Sequence, residues 1–181
     1  MGKIVSPNPV KLVIGLIFKD EEFLKKAEGI LRRHFGSTDY ASPVIPFSYT
    51  DYYREEFGVG LKRKFLCFTK LVPSERLAAI KVLTNKIETK LSQKNSRKIN
   101  IDPGYLTMAK LVLASTKDYS HRIYLDKGIF AEVTLVYQKN SFQPREWTYP
   151  DYRTPEYIRI FLEIRKLYAQ QINQYNLRGC I

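Results

Sequence analysis

The chain has 181 residues, of which 44% are hydrophobic and 27% charged, a composition that suits one folded domain without disulfide or metal staples. Lys and Arg outnumber Asp and Glu by 30 to 18, which gives a formal net charge of +12, and no run of five basic residues concentrates that charge. Residues 12–18 are too short an apolar stretch to span a bilayer and residues 1–9 lack the core of a signal peptide, so we expect a cytoplasmic protein without a membrane partner.

The first half of the chain alternates strand-like and helical patterns. Residues 10–18 are almost wholly apolar and predict a buried strand. Asp20 is expected to cap a helix that Gly36 ends. Residues 44–50 predict a strand whose proline places it at an edge, and residues 64–72 predict a strand with alternating faces.

A second helix and a short strand follow. Residues 74–91 carry apolar side chains at helical spacing, and residues 98–101 predict a strand. Residues 102–104, Asp-Pro-Gly, have the residue types of a turn, because Pro restricts φ and Gly accepts a positive φ. Residues 107–116 are ambiguous and favour a short helix. Up to residue 101 the order is βαββαβ, the ferredoxin-like split arrangement.

The clearest element is a β-hairpin. Residues 121–125 and 129–137 are strand-like and flank a short turn that contains Gly128. If the turn is centred there, residues that pair across the two strands have numbers that sum to about 254. This register places Arg122 directly opposite Glu132 on the neighbouring strand. The odd-numbered residues of the second strand are predicted to share one face.

Together these elements predict an α+β fold in a single domain that spans residues 1–181. The sheet is expected to be mixed but mostly antiparallel, with helices on one face. A ferredoxin-like βαββαβ start is followed by the β-hairpin and by a C-terminal helix that begins near Pro155. Residues 1–9 and 173–181 are expected to be loosely ordered.

The densest run of unusual polar residues lies between residues 100 and 132. A Lys/Arg cluster with one His and one carboxylate is the kind of environment that holds phosphate. The simpler alternative is a hydrogen-bonded structural histidine with an exposed Arg–Glu pair. The candidate catalytic residues are His121, Asp102 and Glu132. The candidate ligand-binding residues are Asn100, Tyr105, Lys110, Lys117 and Arg122.

Two further segments, residues 49–55 and 147–153, mix acidic, aromatic and basic residues in loop-like sequence. They add Asp51, Tyr52, Trp147 and Asp151 to the candidate ligand-binding residues. As a rim, these aromatic side chains could stack on a base or a sugar ring. The alternative is aromatic packing that holds the loops against the body of the protein.

Several chemistries are excluded because their motifs are absent. The two cysteines and two histidines form no cluster with zinc spacing, so no metal site is expected. The sequence has no P-loop, no nucleophile elbow and no dinucleotide-binding glycine fingerprint, and we expect no cofactor.

Six short motifs occur in order along nearly the whole chain. They are DYY at 51–53, TNKIE at 84–88, NIDPGYL at 100–106, LASTKD at 113–118, HRIYL at 121–125 and WTYPDY at 147–152. In this combination the chain resembles a prokaryotic family known as domain of unknown function 4416. The resemblance implies a single-domain protein of bacteria or archaea, and it implies no function, because the family has none assigned.

The sequence therefore supports a leading hypothesis and two alternatives. The leading hypothesis is a protein that binds a phosphate-bearing, nucleotide-like small molecule, with or without catalysis. The first alternative is a non-catalytic RNA- or DNA-binding module, which would spread Lys and Arg over an exposed face with aromatic residues between them. An enzyme would instead concentrate its charges in one cleft with shifted pKa values. A structural or partner-binding protein would show an exposed apolar patch.

Overall fold

The computed structural model describes residues 2–49, 57–94 and 96–178, which form three long helices and a nine-stranded sheet. The helices are α1 (Glu21–Phe35), α2 (Leu77–Lys90) and α3 (Pro155–Arg178). The first four strands are β1 (Lys11–Phe18), β2 (Thr38–Ala41), β3 (Ile45–Pro46) and β4 (Lys62–Phe68). The other five are β5 (Ile99–Leu106), β6 (Lys110–Ser115), β7 (Ile123–Asp126), β8 (Ile129–Gln138) and β9 (Ser141–Pro144).

Strand β1 lies in the interior of the sheet. The strand order is β2-β4-β1-β5-β6-β8-β7, with β3 beside β4 and β9 beside β8. Every strand pair among the described residues is antiparallel, so the sheet is not mixed. The fold class is α+β, as predicted.

Helices cover both faces of β1, which explains why all eight of its residues are buried. One cluster of buried residues joins Leu12, Ile14 and Leu16 to apolar side chains of α1 and α2. A second cluster joins Val13, on the other face, to Phe161 and further residues of α3. The predicted pair of helices on one face is therefore present, but α3 lies on the opposite face.

Helix α1 begins and ends where predicted, but Asp20 at its N-cap position makes no side-chain capping hydrogen bond. Glu21 and Glu22 stand in its first turn and basic residues in its last, which complements the helix dipole. Gly36 follows with φ of 89°, a conformation that favours glycine, and its N–H donates to the carbonyl oxygen of Arg32. Within the described ranges, no helix combines the length and the apolar character that crossing a membrane requires.

The expectations for residues 102–104 and 107–116 are wrong. Residues 102–104 lie inside β5, where Pro103 pairs with Ile14 and Gly104 with Val13 of β1. Residues 107–116 contain strand β6 instead of a helix. The local residue preferences favour a turn and a helix, but pairing with neighbouring strands outweighs them.

The earlier strands differ from the prediction in extent. In the described part of residues 44–50, only Ile45–Pro46 forms a strand, and the sequence pattern missed β2. Strand β4 begins at Lys62 and ends at Phe68, ahead of the predicted end at residue 72. Its alternation is as predicted, because Phe65 and Cys67 pack with α3 while Leu66 and Phe68 pack in the cluster of α1 and α2.

The hairpin of β7 and β8 has the predicted register away from its turn. Ile123 pairs with Ala131 and Tyr124 with Phe130, so these paired numbers sum to 254, but the register shifts by one residue next to the turn, where Asp126 rather than Leu125 pairs with Ile129. The turn holds Lys127 and Gly128, both with positive φ. Strand β7 begins only at Ile123, so the two residues before it lie outside the ladder.

The side chains of β8 do not alternate regularly between the two faces of the sheet along the whole strand. Its pairing with β6 shifts by one residue at Thr134, because Val112 pairs with Val133 whereas Leu111 pairs with Leu135. As a result, Val133 packs on the side of α2 and Leu135 on the side of α3. The prediction of a single odd-numbered face is wrong, because a β-bulge reverses the alternation.

Candidate functional site

Strands β5 and β6 separate after a short common stretch. Strand β5 pairs with β1 from Ile99 to Leu106, but with β6 only from Gly104 to Leu106. The two strands approach closely at Gly104, where an added Cβ atom would lie 2.4 Å from the carbonyl oxygen of Val112. The part of β5 before Gly104 therefore presents an unpaired edge inside the sheet.

Side chains of α2 bind this unpaired edge in place of a strand. The carboxylate of Glu88 accepts a hydrogen bond from the backbone N–H of Ile101 at 2.6 Å, and Lys81 donates to the carbonyl oxygen of Ile101 at 3.2 Å. Lys81 also donates to the carboxylate of Asp102 at 3.1 Å. Backbone N–H groups alternate in direction along a strand, so the nitrogen of Pro103 points towards the unpaired edge, as that of Ile101 does. No neighbouring strand pairs with that edge, so the N–H that proline lacks is not needed for a hydrogen bond between strands.

A cavity of about 500 Å³ opens at this separation of the strands. Its lining draws charged side chains from α2, from the sheet and from the segments beside them, including the one that precedes α3. The basic residues are Arg63, Lys81, Arg97, Lys117 and Arg122. The acidic residues are Glu88, Asp102, Glu132 and Asp151. Five cations therefore face four carboxylates in one cleft.

Arg122 is a buried cation whose three guanidinium nitrogens all have partners. Its Nε donates to Glu132 at 2.8 Å, and its Nη2 donates to the hydroxyl of Tyr149 at 3.0 Å. Its Nη1 donates to the hydroxyl of Ser115 at 2.8 Å and to the carbonyl oxygen of Lys117 at 3.0 Å. Arg122 therefore holds the end of β6 and the following loop in place, and it has little capacity left for a ligand.

Glu132 is buried and accepts hydrogen bonds on both of its oxygens. Besides Arg122, it contacts His121 Nε2 at 3.3 Å and the hydroxyl of Thr134 at 3.1 Å. The ring of His121 stacks on Trp147, with ring centroids 5.2 Å apart and an interplanar angle of 11°. The aromatic packing and the carboxylate together fix the orientation of the imidazole.

Arg63 is the other buried arginine of the cavity, at 3% exposure, and not all of its guanidinium nitrogens donate a hydrogen bond to the described residues. Its Nη2 donates to Asp151 at 2.8 Å, and its Nη1 lies 4.0 Å from the carboxylate of Asp102. Its Nε and Nη1 have no hydrogen-bond partner among the described residues. The guanidinium also lies 5.1 to 5.5 Å from the centroids of three aromatic rings, those of Phe47, Phe65 and Tyr152.

Two carboxyl groups of the cavity have pKa values shifted in opposite directions. Burial raises the pKa of Glu88, although Lys81 and Arg97 act against it. Burial would also raise the pKa of Asp102, but the cations Lys81 and Arg63 outweigh burial and hold that pKa below its usual range. Asp102 is therefore an anion at neutral pH, held in place by the cations around it.

The structure brings together half of the candidate residues. Those that line the cavity are Asn100, Asp102, Lys117, Arg122, Glu132 and Asp151. His121 and Trp147 do not line it, and they lie behind Glu132 as a stacked pair. Tyr105 packs in the core beside α2, and Lys110 is exposed at the start of β6. Asp51 and Tyr52 lie outside the described residues.

Five charged or polar residues that line the cavity were not predicted from the sequence, namely Arg63, Lys81, Asn85, Glu88 and Arg97. Arg63 falls on the same alternating face as Phe65 and Cys67, which was a usable signal for a buried cation. Lys81 and Glu88 interrupt the apolar face of α2 at helical spacing, and both are buried. A charged residue on a buried helical face indicates a paired or functional group.

Comparisons with known proteins identify the family and leave the activity open. The family model described as Domain of unknown function (DUF4416) matches residues 8–168. No curated protein and no solved structure matches the chain. The match spans most of the chain and includes every residue that lines the cavity, so the protein belongs to the DUF4416 family.

Proposed function

We propose that the cavity binds a phosphate-bearing small molecule of nucleotide size. Its volume of about 500 Å³ is in the usual range for small-molecule sites. Its lining carries one more cation than carboxylates, which favours an anionic ligand. Tyr119 and Tyr149, at the exposed margin, add aromatic faces on which a ring can stack.

The observation that carries this proposal is the state of Arg63. Two buried guanidinium nitrogens without hydrogen-bond partners in the described part of the chain cost free energy, on the order of 1–3 kcal/mol for each unsatisfied group. Asp151 accepts a hydrogen bond from its Nη2, and Asp102 lies 4.0 Å from its Nη1, beyond hydrogen-bond distance. We infer that Nε and Nη1 can donate to an oxygen atom supplied from the cavity. Phosphate and carboxylate oxygens match the planar donors of arginine.

The distribution of charge favours a small-molecule ligand over a nucleic acid. Nine charged side chains converge on one cleft, and those of Glu88 and Asp102 have shifted pKa values. This is the arrangement expected of a small-molecule or catalytic site, whereas a nucleic-acid module would place its cations on an open face.

The proposal is tested by titration calorimetry of the full chain with the four ribonucleoside 5′-monophosphates and the four unphosphorylated nucleosides. We expect at least one monophosphate to bind and its nucleoside to bind at least tenfold more weakly, because the nucleoside lacks the group that Arg63 contacts. The Lys117→Gln variant should weaken binding of that monophosphate by about tenfold, through loss of one charge-assisted contact at the cavity margin.

The matched control is Lys110→Gln, which removes the same charge from an exposed site outside the cavity and should leave the affinity unchanged. The proposal is wrong if no monophosphate binds with a dissociation constant below about 1 mM. It is equally wrong if nucleosides bind as well as their phosphates, or if the two lysine variants weaken binding equally.

A further inference from the structure

A second cavity, of about 400 Å³, adjoins the first between α2 and the β7–β8 hairpin. Asn85 of α2 and Thr116, just after β6, line both cavities. The two cavities are therefore neighbours that share two polar lining residues.

The geometry of α2 explains how one helix serves both cavities. Lys81, Asn85 and Glu88 have helical spacing and line the first cavity. Residues 82, 86 and 89 follow each of them by one position and line the second. A step of one residue turns the direction of the side chain by about 100° around the helix axis, so two neighbouring faces of α2 form the two sites.

The charge of the second cavity differs from that of the first. Its charged lining residues are Lys86 and Lys127, and no carboxylate lines it within the described part of the chain. Asp126 lies 3.7 Å from the ammonium of Lys127, but both side chains are more than half exposed, so this pair is weak. The hairpin turn places Lys127, because both of its residues hold a positive φ that suits a tight two-residue turn.

We propose that the second cavity binds a further phosphate group of the same ligand. This inference rests on the proposed function of the first cavity. The ligand class is then an extended phosphate compound, either a nucleoside polyphosphate or a dinucleotide joined by a phosphodiester. In both, one nucleotide unit occupies the first cavity and the next phosphate group passes Asn85 and Thr116 to reach Lys86 and Lys127.

The test uses titration calorimetry with the tightest-binding monophosphate, its di- and triphosphate, and the dinucleotide of the same base. We expect the triphosphate or the dinucleotide to bind about tenfold more tightly than the monophosphate. The double variant Lys86→Gln/Lys127→Gln should abolish this gain and leave the affinity for the monophosphate unchanged. The compound that shows the gain identifies which of the two phosphate sources fits.

The control is Lys90→Gln/Lys139→Gln, which removes two exposed lysines that line neither cavity and should preserve the gain. The inference is overturned if no extended compound binds more tightly, if the gain persists without Lys86 and Lys127, or if the control loses it equally. In each case a bound monophosphate would leave the first site intact. If no monophosphate binds at all, the proposed function fails and this inference fails with it.

Discussion

At the scale of single residues, the two buried arginines of the cavity have different tasks. All three guanidinium nitrogens of Arg122 donate hydrogen bonds to the protein, whereas Nε and Nη1 of Arg63 have no hydrogen-bond partner in the part of the chain that the structure describes. The first therefore organises the site and the second is available to a ligand. The two arginines differ in how many of their donors the protein satisfies, a property that depends on the tertiary structure and not on local sequence.

Replacing Arg122 should destabilise the fold strongly. In Arg122→Gln the buried carboxylate of Glu132 loses its cation, and removing one partner of a buried ion pair costs about 3–5 kcal/mol. Urea denaturation followed by circular dichroism measures the change in the free energy of unfolding. The double variant Arg122→Gln/Glu132→Gln should recover part of the loss, because no uncompensated charge then stays buried.

The matched control for this experiment is Lys26→Gln, which breaks the exposed pair of Lys26 and Glu22 on α1. Exposed helix pairs contribute at most about 0.5 kcal/mol, so this variant should unfold almost as the native chain does. Equal losses in Arg122→Gln and Lys26→Gln would show that Arg122 does not organise the site.

At the scale of elements, the separation of β5 from β6 creates the site. The two strands must approach closely at Gly104 and then diverge, so that α2 can bind the free edge of β5 through Lys81 and Glu88. An Asp-Pro-Gly sequence suits this position. Pro103 has no N–H to donate, and none is needed on the unpaired edge of β5. Gly104 has no Cβ atom, so β5 can approach β6 closely where Gly104 pairs with Leu113.

Adding a single methyl group at Gly104 should therefore be costly. In Gly104→Ala the new Cβ atom would lie 2.4 Å from the carbonyl oxygen of Val112 and 2.6 Å from Leu113 Cδ2, so the two strands must move apart. We expect a loss of about 1–3 kcal/mol in the free energy of unfolding, as for other overpacked sites. Thermal and urea denaturation measure it.

Gly29→Ala is the matched control, since it makes the same chemical change in the exposed interior of α1. A Cβ atom there meets nothing within 4 Å, and alanine favours a helix over glycine by about 1 kcal/mol, so this variant should gain stability. If Gly104→Ala is as stable as the native protein, the close approach of β5 and β6 is not required.

At the scale of the whole molecule, the net charge of +12 predicts a weak, general attraction to polyanions. The cations outside the cavity are dispersed along the chain, so any binding of nucleic acid should be independent of sequence and driven by release of counterions. We expect a gel-shift titration with mixed RNA and DNA to show retention at low salt that disappears at moderate salt. Retention of one sequence at moderate salt would favour the nucleic-acid module instead.

The sequence by itself determined the elements whose signals are local. The apolar run of β1, the ends of α1, the alternation of β4 and the register of the β7–β8 hairpin all depend on neighbouring residues or on a tight turn. It also indicated the family and six of the residues that line the cavity. Local periodicity and turn chemistry act over a few residues, so they can be interpreted without knowledge of the fold.

Only the tertiary structure decided the elements and contacts that depend on distant partners. Residues 102–104 form a strand because β1 pairs with them, and the bulge at Thr134 reverses the faces of β8. The cavity likewise joins Arg63, Lys81 and Asp151, which are far apart in sequence. Hydrogen-bond partners across the sheet and burial of charge are long-range properties, and they outweigh residue preferences of about 1 kcal/mol.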